Sequence, residues 1–307
     1  MVGSLLIDQT AAFTLVDHEI LLGKLEAYGA TESTLKWFRS YLSNRVFRVQ
    51  VESAKSKLVE LGPFGVPQGG VLGSTVFVIY ENDLPAATGD HDSNDQQTIC
   101  YVDDSNDQVA AKHPKDLMMK LQVRADNLTQ WLEDNRMVIA PAKTKLIVTA
   151  NHQLRNARAE GVDFTVKVLD KTIHATPSER VLGVTVSQDL TWLPHFWGET
   201  WREKDNLPGV IPDLLRRLGL LKYLARTTAK SKIRSLVPGM FTSKLMYALH
   251  LTSSLWGLNE YAVQDLIKIS CPKQTLHKLQ SCQRQAAALL APELTLSADL
   301  STAELMG

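Results

Sequence analysis

With 307 residues and 44% hydrophobic side chains, the chain can bury a sizeable core in one large domain or two modest ones, which excludes a disordered polypeptide. Three scattered cysteines, Cys100, Cys271 and Cys282, exclude a disulfide framework and a cysteine metal knuckle, and suit a reducing, intracellular setting, nuclear or cytoplasmic. No apolar run approaches the roughly 18 residues of a membrane span, and no basic flank precedes the first apolar stretch, so neither membrane insertion nor export is expected.

In chain order, the apolar run at 4–7 predicts a short strand ending at Asp8. Leu21, Leu22, Leu25 and Tyr28 follow Asp17 at helical spacing and stop at Gly29. A second helix is expected from about Thr31 with Leu35, Phe38 and Leu42 along it. Phe47, Val49 and Val51 then alternate with Arg48 and Gln50, as in a strand with one wet face. The Gly- and Pro-rich stretch 62–73 predicts a loop feeding a buried helix that carries Val76, Phe77 and Tyr80. Residues 98–102 read as a strand, and Asp103-Asp104-Ser105-Asn106 has the composition of a tight turn before the chain returns at Val109. Pro114 suits a first helical position ahead of Leu117, Leu121, Ala125, Leu128 and Leu132. Short strands at 138–139, 146–148, 164–168 and 181–186 complete an α+β domain, a sheet with helices on one face. Beyond about residue 205 strand signals yield to helical sequence. The expected domains are therefore 1–205 and 206–307, with the Trp-rich stretch 192–201 as the join.

The 33 basic and 33 acidic residues cancel, but they are segregated. Between 81 and 107 stand Glu81, Asp83, Asp90, Asp92, Asp95, Asp103, Asp104 and Asp107, with no Lys or Arg. Between 214 and 259 stand Arg216, Arg217, Lys222, Arg226, Lys230, Lys232, Arg234 and Lys244, with no Asp or Glu. The first stretch could hold cations; the second is either a seat for a phosphate backbone or a solvated face. Asp8 ending one strand and Asp103-Asp104 ending another can converge at one sheet edge, giving the oxygen donors that hard cations such as Mg²⁺ take. Two such ions can activate an attacking hydroxyl and stabilise a leaving pyrophosphate oxygen, the chemistry of nucleotidyl transfer. Taken alone, an Asp-Asp pair in a turn is only a turn.

The surrounding residues resemble the reverse transcriptases of non-LTR retrotransposons, of the jockey kind. The run Leu5-Leu6-Ile7-Asp8-Gln9-Thr10-Ala11-Ala12-Phe13-Thr14-Leu15-Val16-Asp17-His18 is similar to that family's first palm motif, and Gly65-Val66-Pro67-Gln68-Gly69-Gly70-Val71-Leu72-Gly73 to its second. Tyr101-Val102-Asp103-Asp104 resembles the Tyr-x-Asp-Asp box. Residues 131–135 with Ala142-Lys143-Thr144-Lys145 resemble the fourth motif, and Leu182-Gly183-Val184 the primer-grip segment. The resemblance runs in family order over 4–184 and extends in kind through the helical sequence to about Trp256. It implies a polymerase palm, an antiparallel sheet with helices on one face, followed by an α-helical thumb. The implied partners are an RNA template, a DNA primer and deoxynucleotides, with no membrane.

Carried over residue by residue, the resemblance makes Asp8, Asp103 and Asp104 the ligands of two Mg²⁺ ions, or Mn²⁺ in their place. Phe13 becomes the steric gate against a ribose 2′-hydroxyl, or else a plain core aromatic. Gln9, Gln68 and Gly69 fall at the incoming nucleotide, and glycines around Gln68 would let backbone approach the substrate closely. Lys143 is either the acid that protonates departing pyrophosphate or a surface lysine. Leu182 and Gly183 take the primer-grip position, and Arg216, Arg217, Lys222 and Arg226 are placed against the nucleic-acid backbone. Asp17 reads as a helix cap and His18 as a structural partner. Trp192, Trp197 and Trp201 read as packing for the join rather than base-stacking platforms.

Thr14 stands where the family has Asp, Gly70 where it has Ser, and Ala142 where it has Lys; none of these is a metal ligand. Because the first palm motif begins at residue 4, fingers and endonuclease segments are expected to be missing. Two readings follow: an active RNA-directed DNA polymerase, or a non-catalytic nucleic-acid-binding remnant of one. A nucleotide cyclase built on the same palm shares the carboxylates but explains neither the Gln68 loop nor the basic helices.

Overall fold

The computed structural model describes residues 1–67, 69–89, 95–150, 152–198, 209–227, 230–245, 247, 277–278, 281–282 and 284–286. They fall in two compact units, Met1–Pro177 and Ser178–Gly307.

The first unit opens with β1 (Val2–Asp8), a short α1 (Ala12–Leu15), and α2 (His18–Ala27), whose start is fixed by the Asp17 carboxylate accepting from the amides of Glu19 and Ile20. Helix α3 (Glu32–Leu42) starts at Thr31, whose hydroxyl accepts from the Thr34 amide. Where one strand with a dry face was expected, the chain makes four two-residue strands, β2 (Val46–Phe47), β3 (Gln50–Val51), β4 (Ala54–Lys55) and β5 (Val59–Glu60). These pair only among themselves, β2 with β5 and β3 with β4, so Phe47, Val49 and Val51 stay exposed. Alternation supplied an apolar edge, but among the described residues no sheet lies against it.

Helix α4 (Gly73–Glu81) buries Val76, Phe77 and Tyr80 as expected, and is followed by α5 (Leu84–Thr88). β6 (Gln96–Tyr101) turns into β7 (Asp104–Ala110) through Val102-Asp103 alone. The turn is thus tighter than composition suggested, and Asp104, Ser105 and Asn106 already pair in the strand. α6 (Pro114–Asp134), with Pro at its start, buries Leu117, Leu121, Ala125, Leu128 and Leu132 in one stripe. β8 (Lys145–Thr149), α7 (His152–Ala159), β9 (Thr165–Val168) and β10 (Lys171–Thr176) complete the unit. The six-stranded sheet has the order β6-β7-β1-β8-β10-β9 and is antiparallel except for the parallel β8–β10 pair. Leu5, Ile7 and Val109 from the sheet share one core with Leu21 and Leu25 of α2, Phe77 and Tyr80 of α4, and Leu117 and Leu121 of α6.

In the second unit, the expected strand at 181–186 is instead a hairpin of β11 (Ser178–Val181) and β12 (Val184–Ser187), turning at Leu182-Gly183. α8 (Leu193–Trp197), α9 (Val210–Thr227), α10 (Lys230–Val237) and a π-helical turn at Pro238–Thr242 follow. Phe196 of α8 shares a core with Ile211, Leu214 and Leu218 of α9 and with Val237 and Phe241. The compact units therefore divide ahead of the join expected near residue 205, because the β11–β12 hairpin and α8 belong with the helices. Among the described residues no helix is long and apolar enough to cross a membrane.

Candidate active site

Asp8 ends β1 and Asp104 begins β7, and the antiparallel register sets them directly opposite one another. Opposed residues share a face of the sheet. Along β7 the buried positions are Ser105, Asp107 and Val109, so Asp104 faces away from the core, and Asp8 with it. Asp103 sits in the intervening turn beside Val102, which takes a left-handed φ of 59°, an unusual conformation for a β-branched side chain. Three carboxylates thus meet at one end of the central strands.

Partial desolvation of its carboxyl, then the negative charges of Asp103 and Asp8, push Asp104 above the ordinary carboxylate range. Lys143 Nζ lies 3.5 Å from Asp8 Oδ2, an exposed pair. Among the described residues no cation pairs with Asp103 or Asp104. Nor, among those residues, is any group of three or more His, Cys, Asp and Glu closed into a metal-holding cluster. The donors nonetheless suit a divalent cation in their chemistry: they are all oxygen, all anionic, and their crowding is the repulsion that a bound cation relieves.

Beneath this face, on the core side, Gln9 and Ser105 turn inward. The Gln9 amide Nε2 and the Ser105 hydroxyl, the latter at 3.1 Å, both donate to Glu81 Oε1. The side chain of Gln9 therefore faces the core rather than the carboxylate face. Burial, offset in part by these two bonds, pushes the Glu81 carboxyl up to about 7, and the nearby Asp103 adds to the rise. Phe13 stacks on Phe77 with ring centroids 4.9 Å apart and remains half-buried. The loop of the second motif is packed against α1: a side chain at Gly65, where φ is +88°, would meet Thr14 O at 3.2 Å. His18 bonds the Gly65 carbonyl at 2.8 Å, and Asp17 pairs with Arg136 at 2.5 Å, so both serve structure as expected. Gly69 takes φ +77°; Gln68 lies outside the described residues.

In the second unit, Leu182 and Gly183 form the hairpin turn, with φ of 47° and 84°. The Tyr247 hydroxyl donates to the Leu182 carbonyl, and its ring stands 3.3 Å from where a Gly183 side chain would begin. Asp213, one residue ahead of the basic stretch, accepts from Arg216 at 2.7 Å and Arg217 at 2.9 Å, and Arg217 also donates to the Met240 carbonyl. Lys222 donates to Gln285 at 2.8 Å, and Arg226 is exposed on the last turn of α9. Trp192 meets His195 edge-on, while Trp201 lies outside the described residues. Sequence reading missed Glu81, Tyr247 and Asp213 as participants. Glu81 had one usable signal, since it lies one helical turn beyond the buried Phe77 and so on the same face.

The family model for "Reverse transcriptase (RNA-dependent DNA polymerase)" matches residues 3–186. The RNA-directed DNA polymerase from mobile element jockey of Drosophila melanogaster is 30% identical over 196 residues, 63% of this chain and 20% of its own length. The probable RNA-directed DNA polymerase from transposon BS of the same organism is 26% identical over 212 residues, 65% of this chain and 22% of its own. The chain thus spans about a fifth of the length of these curated relatives. Among solved structures, apo telomerase from Candida tropicalis aligns over 96% of this chain and 52% of its own at 11% identity, with a TM-score of 0.45.

Proposed function

The chain belongs to the reverse transcriptase (RNA-dependent DNA polymerase) family, and on that premise we propose that it is the palm and part of the thumb of an RNA-directed DNA polymerase that adds deoxynucleotides to a primer. The observation that carries this reading is the placement of Asp8 opposite Asp104, with Asp103 in the turn between strands, inside the segment matched by the family. Two Mg²⁺ ions on these carboxylates would supply activation of the primer 3′-hydroxyl and charge stabilisation at the leaving pyrophosphate.

The chain's own residues divide the remaining work. Phe13, held in place by Phe77, excludes a 2′-hydroxyl from the sugar pocket. Gln68 and Gly69 border the incoming nucleotide, whereas Gln9, turned into the core toward Glu81, is assigned no contact with it. Lys143, in an exposed pair with Asp8, is assigned to give a proton to pyrophosphate. The Leu182-Gly183 turn seats the primer end. Arg216, Arg217, Lys222 and Arg226 are assigned to backbone phosphates, with Arg216 and Arg217 first leaving or sharing Asp213.

The test is incorporation of labelled dTTP on poly(rA)/oligo(dT) with Mg²⁺, comparing this chain with its Asp103→Ala, Asp104→Ala variant. Incorporation that the variant loses supports the polymerase. Binding of the duplex without incorporation by either protein makes the chain a nucleic-acid-binding remnant.

A further inference from the structure

We propose that Glu81 is a positioning residue that sets the gap between the catalytic carboxylates Asp8 and Asp104 from the opposite side of the sheet; this rests on the reading that those carboxylates hold divalent cations. Glu81 ends α4 and is 3% exposed, and its two donors are buried as well, Ser105 at 3% and Gln9 at 4%. Gln9 follows Asp8 in the chain and Ser105 follows Asp104. Successive residues of a strand project to opposite faces. A bond that fixes Gln9 and Ser105 below therefore fixes the backbone from which Asp8 and Asp104 rise above.

One oxygen, Glu81 Oε1, accepts from both partners. A single atom receiving a bond from each strand end ties β1 to β7 just where their ladder closes at the Asp8–Asp104 pair. The tie has a firm anchor. Lys24 of α2 donates to the Tyr80 carbonyl at 2.6 Å and to Asp83 at 2.7 Å, and its ammonium sits 4.8 Å from the Tyr80 and Trp131 ring centres. The end of α4 is thereby pinned to the helical layer, and Glu81 transmits that fixed position to the sheet. A purely space-filling role would be served as well by an apolar residue, which the remainder of this face uses: Val76, Phe77 and Tyr80 pack there. Groups that orient metal ligands from behind act through geometry and leave the donor set unchanged.

The experiment titrates the 307-residue chain with Mn²⁺ alone, following loss of the free-ion paramagnetic resonance signal, for wild type, Glu81→Leu, Glu81→Gln and Ser105→Ala. Glu81→Leu is expected to weaken Mn²⁺ binding by about 10–100-fold, the range for residues that hold metal ligands in place. Glu81→Gln, which keeps an acceptor oxygen, should recover part of the loss, and Ser105→Ala, which removes one arm, should give an intermediate one. Urea unfolding identifies any variant that does not fold; should Glu81→Leu be one, Ser105→Ala and Glu81→Gln decide. In primer extension the same order is expected in kcat, with the dTTP KM nearly constant. Equal Mn²⁺ affinity across the folded variants overturns the assignment of Glu81. Failure of wild type to extend primer while the Mn²⁺ order holds overturns the polymerase reading and leaves Glu81 as the organiser of a cation site.

Discussion

Strand β7 carries two carboxylates that the fold treats in opposite ways. Asp107 points into the core, is 1% exposed, and is met by Arg124, itself 1% exposed, at 2.5 Å. The guanidinium also reaches Thr98 at 2.6 Å and Gln96 at 3.1 Å, so a buried charge pair is held inside a web of neutral partners. Asp104, on the other face, is met by two further carboxylates, Asp103 and Asp8. The inner end meets its charge with a guanidinium; at the outer end Asp104 meets like charge, and of the three acids only Asp8, among the described residues, pairs with a cation, Lys143. Crowded acids at a solvent-facing strand end point to chemistry, and buried, paired ones to architecture.

Breaking the inner end should have the largest effect. Arg124→Met leaves Asp107 buried without its guanidinium and should lower unfolding free energy by about 3–5 kcal/mol in urea titrations. Adding Asp107→Leu should return most of that loss, because no buried charge then remains. Neutralising the outer end should do the reverse. Asp104→Asn is expected to cut incorporation by about 10²–10³-fold, the scale of losing one preorganised electrostatic group, while thermal stability stays level or rises, since the fold already disfavours the charged form. A fall in melting temperature matching that of Arg124→Met would show that the two ends do not differ as argued.

Phe13 sharpens the contrast from the substrate side. Phe13→Val keeps the carboxylates but removes the ring stacked on Phe77, so ribonucleotide use relative to deoxynucleotide use should rise by about 10–200-fold, the span available to a single steric contact. The smallest effect concerns pH. Glu81, with Gln9, Ser105, Lys24 and Asp103 around it, has its carboxyl raised from 4.5 to about 7. Between those values the folded chain holds a proton that the unfolded chain has released, so stability from this group falls as pH rises through the window. Glu81→Gln should flatten that part of a stability-against-pH curve measured by chemical unfolding. An unchanged slope would mean that Glu81 is ionised throughout.

Much of this was legible in the sequence. The regular apolar spacing in α6, the Asp17 cap, the helix start near Thr31 and the buried face of α4 all depend on residues within a turn or two of one another, and each formed where expected. The convergence of Asp8 with Asp103 and Asp104 was implied by the family resemblance, and the pairing of β1 with β7 sets Asp8 opposite Asp104. The exposed hairpin at 46–60 was misjudged because alternation shows which side chains share a face but not whether anything covers it. The two-residue turn before Asp104 was misplaced because Asp, Ser and Asn favour turns in isolation, while ladder pairing with β1 and β6 drew them into a strand.

Sequence alone determined the fold class and the order of the motifs, because these rest on short-range periodicity and residue type; the three acids at one strand end were implied by the family resemblance. Tertiary structure decided the rest. Only packing could show that Arg124 neutralises Asp107, that Asp213 takes up Arg216 and Arg217, that Gln9 faces inward, and that Glu81 binds two strands together. Glu81 and Gln9 lie 72 residues apart in the chain. The charge state and role of a buried acid depend on what surrounds it in space, and no local pattern encodes partners at that separation.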